Sequence, residues 1–169
     1  MRSRNSATAA VARVGVFCVA TALTLSCGAP SSKADDPQAA EDAIRQQIAN
    51  YATALDAADI HLASQVWHTS GDISFITPAG HYRGWDEVKK VYEFFGSAFS
   101  ERNLTVRDVS VRVYGDSAWS EFYWHFDAKQ SGDGTAVQTD GRATQIHRRV
   151  DGNGWVLVHE HYSGMPMTP

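Results

Sequence analysis

A chain of 169 residues, 43% of them hydrophobic, has the size and apolar content of one globular domain with short extensions, which excludes a disordered or fibrous protein. It carries 15 Lys+Arg against 19 Asp+Glu, and leaving out Arg2, Arg4 and Arg13 of the first stretch gives 12 against 19, a net charge of −7 with histidine neutral. So acidic a domain argues against nucleic acid as a partner. Both cysteines, Cys18 and Cys27, precede the domain, which must therefore be stabilised by its core without a disulfide.

The first 27 residues read as a secretory signal. Basic residues open it, no acid occurs before Asp35, and Val14 to Leu25 is an apolar run. That run is shorter than the about 20 residues a membrane-spanning helix needs. No twin arginine is present, so export in the unfolded state is expected. Thr24-Leu25-Ser26-Cys27 is similar to the lipobox of bacterial lipoproteins, which makes Cys27 the expected lipidation site and a lipid anchor the expected membrane attachment. The competing reading is soluble release to the periplasm or medium after Ser32-Lys33-Ala34. Gly28 to Asp36 is small, polar and proline-containing, a short flexible tether to a domain over 37–165, with a tail at 166–169.

Asp36-Pro37 predicts a helix start, with Asp as N-cap and Pro in the first turn. Ile44, Ile48, Tyr51 and Leu55 then repeat at helical spacing. Asp59 caps a second, shorter helix that turns Leu62, Val66 and Trp67 inward. Ile73 to Thr77 is one strand, closed by the turn Pro78-Ala79-Gly80. A third helix follows Gly84 and buries Trp85, Val88, Val91 or Tyr92, and Phe95. Period two then takes over. Leu104 and Val106 share one parity and Val109, Val111 and Val113 the other, so a bulge is expected near Arg107-Asp108. Three more strands, Ala118–Lys129, Val137–Arg149 and Trp155–Ser163, are joined by SGDG and DGNG turns. The order makes an α+β fold, a bent antiparallel sheet with three helices on one face.

On strand SAWSEFYWHFDA, Ala118, Ser120, Phe122, Trp124 and Phe126 form one face, expected to be core or pocket. The other face carries Trp119, Glu121, Tyr123, His125 and Asp127, aromatics interleaved with charges, as on an interface.

Three stretches carry a family resemblance: ANYATALDAADIHLASQVW, GHYRGWDEVKKVYEF and GRATQIHRRVDGNGWVLVHEHYSGMP. They resemble the nuclear transport factor 2-like superfamily over about residues 38 to 165. Within it, the likeness is to the SnoaL-like proteins and the association domain of calcium/calmodulin-dependent protein kinase II. The ending W-x-x-V-H-x-H-x-S-G-x-P is the most specific part. The resemblance implies a cone-shaped, cystatin-like α+β fold enclosing a pocket, and pairing through the sheet into a homodimer. It does not name a function.

Judged by the same resemblance, the ketosteroid isomerase branch would take a donor tyrosine from Tyr51, but its base position holds Thr77, which cannot act as a base near neutral pH. Its second donor, a carboxylic acid on a late strand, finds no Asp or Glu between Arg142 and Arg149. Related dehydratases and dehalogenases pair a histidine with an aspartate. Here Asp56 and Asp59 lie near His61, His68 and His81, though Asp59 is better explained as a cap. The kinase association domain keeps pocket arginines, whose places fall on Trp124 and Thr144, so Arg142 is the expected substitute in a mostly aromatic pocket. His159-x-His161 could hold a metal only with a third ligand such as Glu121, His125 or His147, and packing or sheet bonding is the preferred account.

The chain is therefore expected to be an exported domain that binds a small apolar molecule, with no cofactor and no metal. Phe75, Tyr82, Trp85, Phe122 and Trp124 would line the pocket, with Tyr51, Arg142 and His161 as polar points. The alternatives are a lyase, isomerase or cyclase using Tyr51, Asp56 and His161, or a non-catalytic association module.

Overall fold

The computed structural model describes residues 36–151 and 154–164. The expected signal sequence, the expected lipidation site Cys27, the alternative cleavage site expected at Ala34, most of the expected tether and residues 165–169 lie outside the described residues.

Helix α1 (Pro37–Ala57) starts where Asp36 accepts from Gln38 N–H at 3.0 Å, and it buries Ile44, Ile48, Tyr51 and Leu55. Helix α2 (Ile60–Val66) is capped by Asp59, whose carboxylate accepts from Leu62 N–H at 3.0 Å. These are the caps and the apolar stripe expected from sequence, and each cap satisfies an N-terminal amide that the helix itself leaves free.

Strand β1 (Ser74–Thr77) turns at Pro78-Ala79 into β2 (Gly80–Arg83). The sequence pattern indicated only one strand here; β2 is short, at the sheet edge, and half exposed. Helix α3 (Trp85–Ala98) leads into the long strands β3 (Phe99–Tyr114), β4 (Ser117–Gln130), β5 (Ala136–Val150) and β6 (Gly154–Gly164). The sheet order is β2-β1-β6-β5-β4-β3, antiparallel except for β1 beside β6. The fold is thus the α+β, cystatin-like arrangement expected: three helices against a curved six-stranded sheet among the described residues.

Bulges give the curvature. On β3, register shifts fall between Arg107 and Ser110, as expected, and also between Ser100 and Asn103. Asp108 and Glu101 take positive φ at these points, 56° and 51°. A third shift lies opposite Ile146 and His147, where Val158 is the extra residue on β6. Its consequence is large. His147 pairs with Leu157, which faces the core, whereas beyond the bulge Gln145 pairs with the buried Glu160. One inserted residue reverses the parity of the rest of the strand.

Candidate functional site

A cavity lies between the helices and the inner face of the sheet. Tyr51 and Leu55 of α1, Phe75 of β1, Phe95 of α3 and Leu104 of β3 line it from one side. Phe122, Trp124 and Phe126 of β4, Thr139 of β5, and Glu160 and Tyr162 of β6 complete it. The inner chamber is narrow, about 50 Å³. Phe95, Phe126, Thr139 and Tyr162 also border an adjoining vestibule of about 250 Å³, lined further by Tyr82, Val91, Phe94 and Lys90. Together these approach the lower end of small-ligand pockets, roughly 300 Å³.

The chamber wall is aromatic. Phe75 stacks at a tilt on Tyr162 with ring centroids 5.6 Å apart, and Trp124 meets Tyr162 edge-on at 5.2 Å. The Trp124 indole reaches across Gly141 on the neighbouring strand, in the space that a Cβ there would fill. A residue with any side chain at 141 would collide with it.

Glu160 is the one carboxylate in the chamber wall, and it is 1% exposed. Burial pushes its pKa up to about 8, against smaller opposing effects from Gln145 and Tyr51. Gln145 Nε2 donates to Glu160 Oε1 at 3.2 Å. The Tyr51 hydroxyl faces the same carboxyl, and its own pKa is raised first by burial and then by the Glu160 charge. No donor among the described residues completes a well-formed hydrogen bond to Glu160 Oε2. Trp124 Nε1–H, on a side chain 8% exposed, likewise finds no acceptor among the described residues. Both atoms are themselves buried, so neither opens onto the cavity in this structure.

The other expected site residues divide. Tyr51, Phe75, Phe122 and Trp124 do line the chamber, and Tyr82 lies at the vestibule. Trp85 packs against the core as a half-buried residue and lines neither space. Arg142 and His161 are exposed and project from the outer face of the sheet, in a surface groove of about 440 Å³ with Glu121 and Tyr123. The cause is register: Arg142 has the parity opposite to the buried Ala143, and the bulge at Val158 turns Glu160 inward and His161 outward.

Asp56 is not a cavity residue either. Its carboxylate accepts from Leu104 N–H at 2.6 Å and its carbonyl accepts from Arg102 Nε at 2.8 Å, so it holds the first bulge of β3 to α1. Thr77 Oγ1 accepts from Ala79 N–H at 3.1 Å and Gly80 N–H at 3.2 Å, an internal clasp of the β1–β2 turn. His61 bonds to Gln65 and His68 to Ser70, both near the surface. His81 sits on β2 beside Arg83.

The histidines do not assemble as metal ligands. His147 is inside, its pKa lowered by burial to about 4, and bonds to Ser120. His159 and His161 face outward, where Ser74 bonds to His159 at 2.7 Å. The pKa of His159 is lowered by partial burial and then by the neighbouring His161 and His81. Among the described residues no group of three or more His, Cys, Asp or Glu has the geometry to hold a metal.

Sequence reasoning missed Glu160, although it lies between the two histidines it singled out. Extending the inward parity of Trp155 and Leu157 along HEH selects His159 and His161. Only the apolar Tyr162, on the parity of Glu160, signalled the reversal.

Compared with known proteins, residues 44–168 match the SnoaL-like domain. A nuclear transport factor 2-like superfamily protein from Salmonella enterica serovar Typhimurium is 35% identical, with 79% of this chain and 96% of that chain covered and a TM-score of 0.76. A candidate dehydratase of the same family from Streptomyces avermitilis is 21% identical over 78% of this chain and 99% of that one, TM-score 0.69. LinA is 16% identical over 78% and 90%, TM-score 0.69. The last two likenesses are of fold alone. No curated protein sequence matches the chain.

Proposed function

Because this chain belongs to the SnoaL-like family of the nuclear transport factor 2-like superfamily, we propose that it is a binding domain for a small, largely apolar molecule held in the cone. The supporting observation is the aromatic chamber that ends on Glu160 and opens through the vestibule. Desolvating an apolar ligand there is favourable at about 25 cal/mol per Å² buried.

The neutral fluorophore N-phenyl-1-naphthylamine is expected to bind at one site per chain with enhanced, blue-shifted emission. Thr139 is an exposed residue at the junction of chamber and vestibule, so Thr139→Trp fills the entrance without disturbing the core. The variant should melt like the wild type and lose the probe. Equal probe binding by both proteins would place the apolar site elsewhere.

A second reading, a proton-transferring lyase or isomerase, has one observation in its favour. Glu160 beside Tyr51 is a carboxyl whose pKa, about 8, suits acid–base work at neutral pH. It predicts exchange of the α-protons of a bound cyclic ketone in D₂O, read by NMR. An exchange rate equal to that in buffer would sink it.

We further propose an exported lipoprotein anchored at Cys27 that pairs through the outer face of the sheet. Tyr123 and Ile146 are exposed there, which suits an interface. Loss of membrane fractionation in Cys27→Ser, and a dimer mass by light scattering, are the expected results; a soluble wild type or a monomer would reject them.

A further inference from the structure

We propose that the ligand is an amphiphile with an anionic head, its apolar part inside the cone and its head in water at the mouth beside Lys90. The inference rests on the reading of the cavity as a binding site and adds the charge and orientation of what enters it.

Of the residues lining chamber and vestibule, only Glu160 and Lys90 are of a charged type, and they belong to different spaces. Glu160 lines the inner chamber, where it is 1% exposed, bonded to Gln145 and faced by the Tyr51 hydroxyl. It is closed to a ligand. Lys90 lines the vestibule alone and is exposed. A lysine so placed lays its methylenes along apolar surface and keeps its ammonium in water.

That ammonium is uncommitted. Among the described residues it makes no ion pair and no hydrogen bond, and two acidic neighbours on α3 are engaged elsewhere. Asp86 pairs with Lys89 at 3.0 Å, and Glu87 accepts from Arg83 N–H at 2.7 Å. Glu93 is exposed and lines neither space. One helical turn from Lys90, Phe94 also lines the vestibule and is 57% exposed. From Phe94 an aromatic track runs inward, with ring centroids 6.0 Å apart to Phe99 and 5.6 Å from there to Phe126, which borders the chamber. An apolar path therefore begins at the surface beside a free cation.

Polarity fixes the orientation. An anionic head carried inward would lose its hydration and meet no Lys, Arg or His, since none lines the chamber. At the mouth the head stays hydrated and gains Lys90, while a cationic head there would be repelled. A lysine is a point charge, so carboxylate and phosphate heads are both served.

The test is displacement of N-phenyl-1-naphthylamine at pH 7 and low ionic strength by four compounds of one chain length: decanoate, decyl phosphate, 1-decanol and decylammonium. Each is used below its micellar concentration. The anions are expected to displace the probe at about fivefold lower concentration than 1-decanol, the upper end for one exposed ion pair, and decylammonium at about fivefold higher. Added salt should narrow the spread. Lys90→Glu, at an exposed helical position, should melt like the wild type, reverse the order of decanoate and decylammonium, and leave 1-decanol unchanged. If 1-decanol matches the anions, or if Lys90→Glu keeps the wild-type order, the head-group inference is overturned and the cavity reading stands. If N-phenyl-1-naphthylamine itself does not bind, both fall. The wild-type series stands by itself should the variant misfold.

Discussion

Replacing Glu160 by glutamine is expected to make the protein more stable by about 2–4 kcal/mol at pH 8 and to remove most of its loss of stability between pH 6.5 and 8. The sign follows from linkage. Burial raises the folded pKa of Glu160 to about 8 from an ordinary value of 4.5. Its contribution is fully present below the unfolded pKa. As pH rises, the unfolded chain releases its proton first, so stability is lost until the folded group also ionises. The slope of one such proton is about 1.4 kcal/mol per pH unit.

His147 contributes in the opposite sense. Its folded pKa is lowered by burial to about 4 from 6.5, so its stabilisation is present above the unfolded value and is lost as pH falls towards 4. Between about 4.5 and 6.5 the two effects offset each other. Above 6.5 Glu160 is the main contributor, beside the exposed His125, whose pKa is raised by its bond to Asp140 and whose contribution is also lost with rising pH; the wild type should lose about 2 kcal/mol by pH 8. Glutamine keeps an acceptor for Gln145 and carries no charge to desolvate. Urea unfolding of both proteins at pH 5, 6.5 and 8 measures the difference. Parallel stability curves from pH 6.5 to 8 would show that Glu160 is not the group responsible.

Gly141→Ala should destabilise the protein by roughly 3 kcal/mol, the upper end of what overpacking costs. A Cβ at this position would overlap both the Trp124 indole and the Ser163 carbonyl oxygen. The indole can turn aside; the carbonyl belongs to the β5–β6 ladder and cannot move without breaking pairing. In a domain of this size the melting temperature should fall by about 10 °C. The near-ultraviolet circular dichroism of the tryptophans should change with it. A double-mutant cycle with Trp124→Leu separates the two collisions, since only the indole part is relieved. A coupling energy near zero would mean that Trp124 does not occupy the space above Gly141. Because Trp124 forms the chamber wall, the same substitution should also impair binding of N-phenyl-1-naphthylamine.

Both predictions concern residues that local sequence patterns handle unequally. Trp124 was legible because β4 alternates cleanly: Ala118, Ser120, Phe122, Trp124 and Phe126 are all buried. The strand has no bulge of its own against β5, so period two holds from end to end. Gly141 carries no such signal, because its role depends on a side chain one strand away.

The caps at Asp36 and Asp59, the stripe of α1, the bulge at Arg107-Asp108 and the α+β class all follow from interactions within a few residues, which is why sequence alone determined them. Which polar side chain enters the chamber was decided only by tertiary structure. Every residue of HEH is polar, so the tripeptide carries no parity of its own. The extra residue at Val158, needed to keep β6 in register with a bent β5, turned Glu160 inward and sent His159 and His161 to the outer surface. A side-chain period of two makes a single inserted residue sufficient to exchange the faces of a strand.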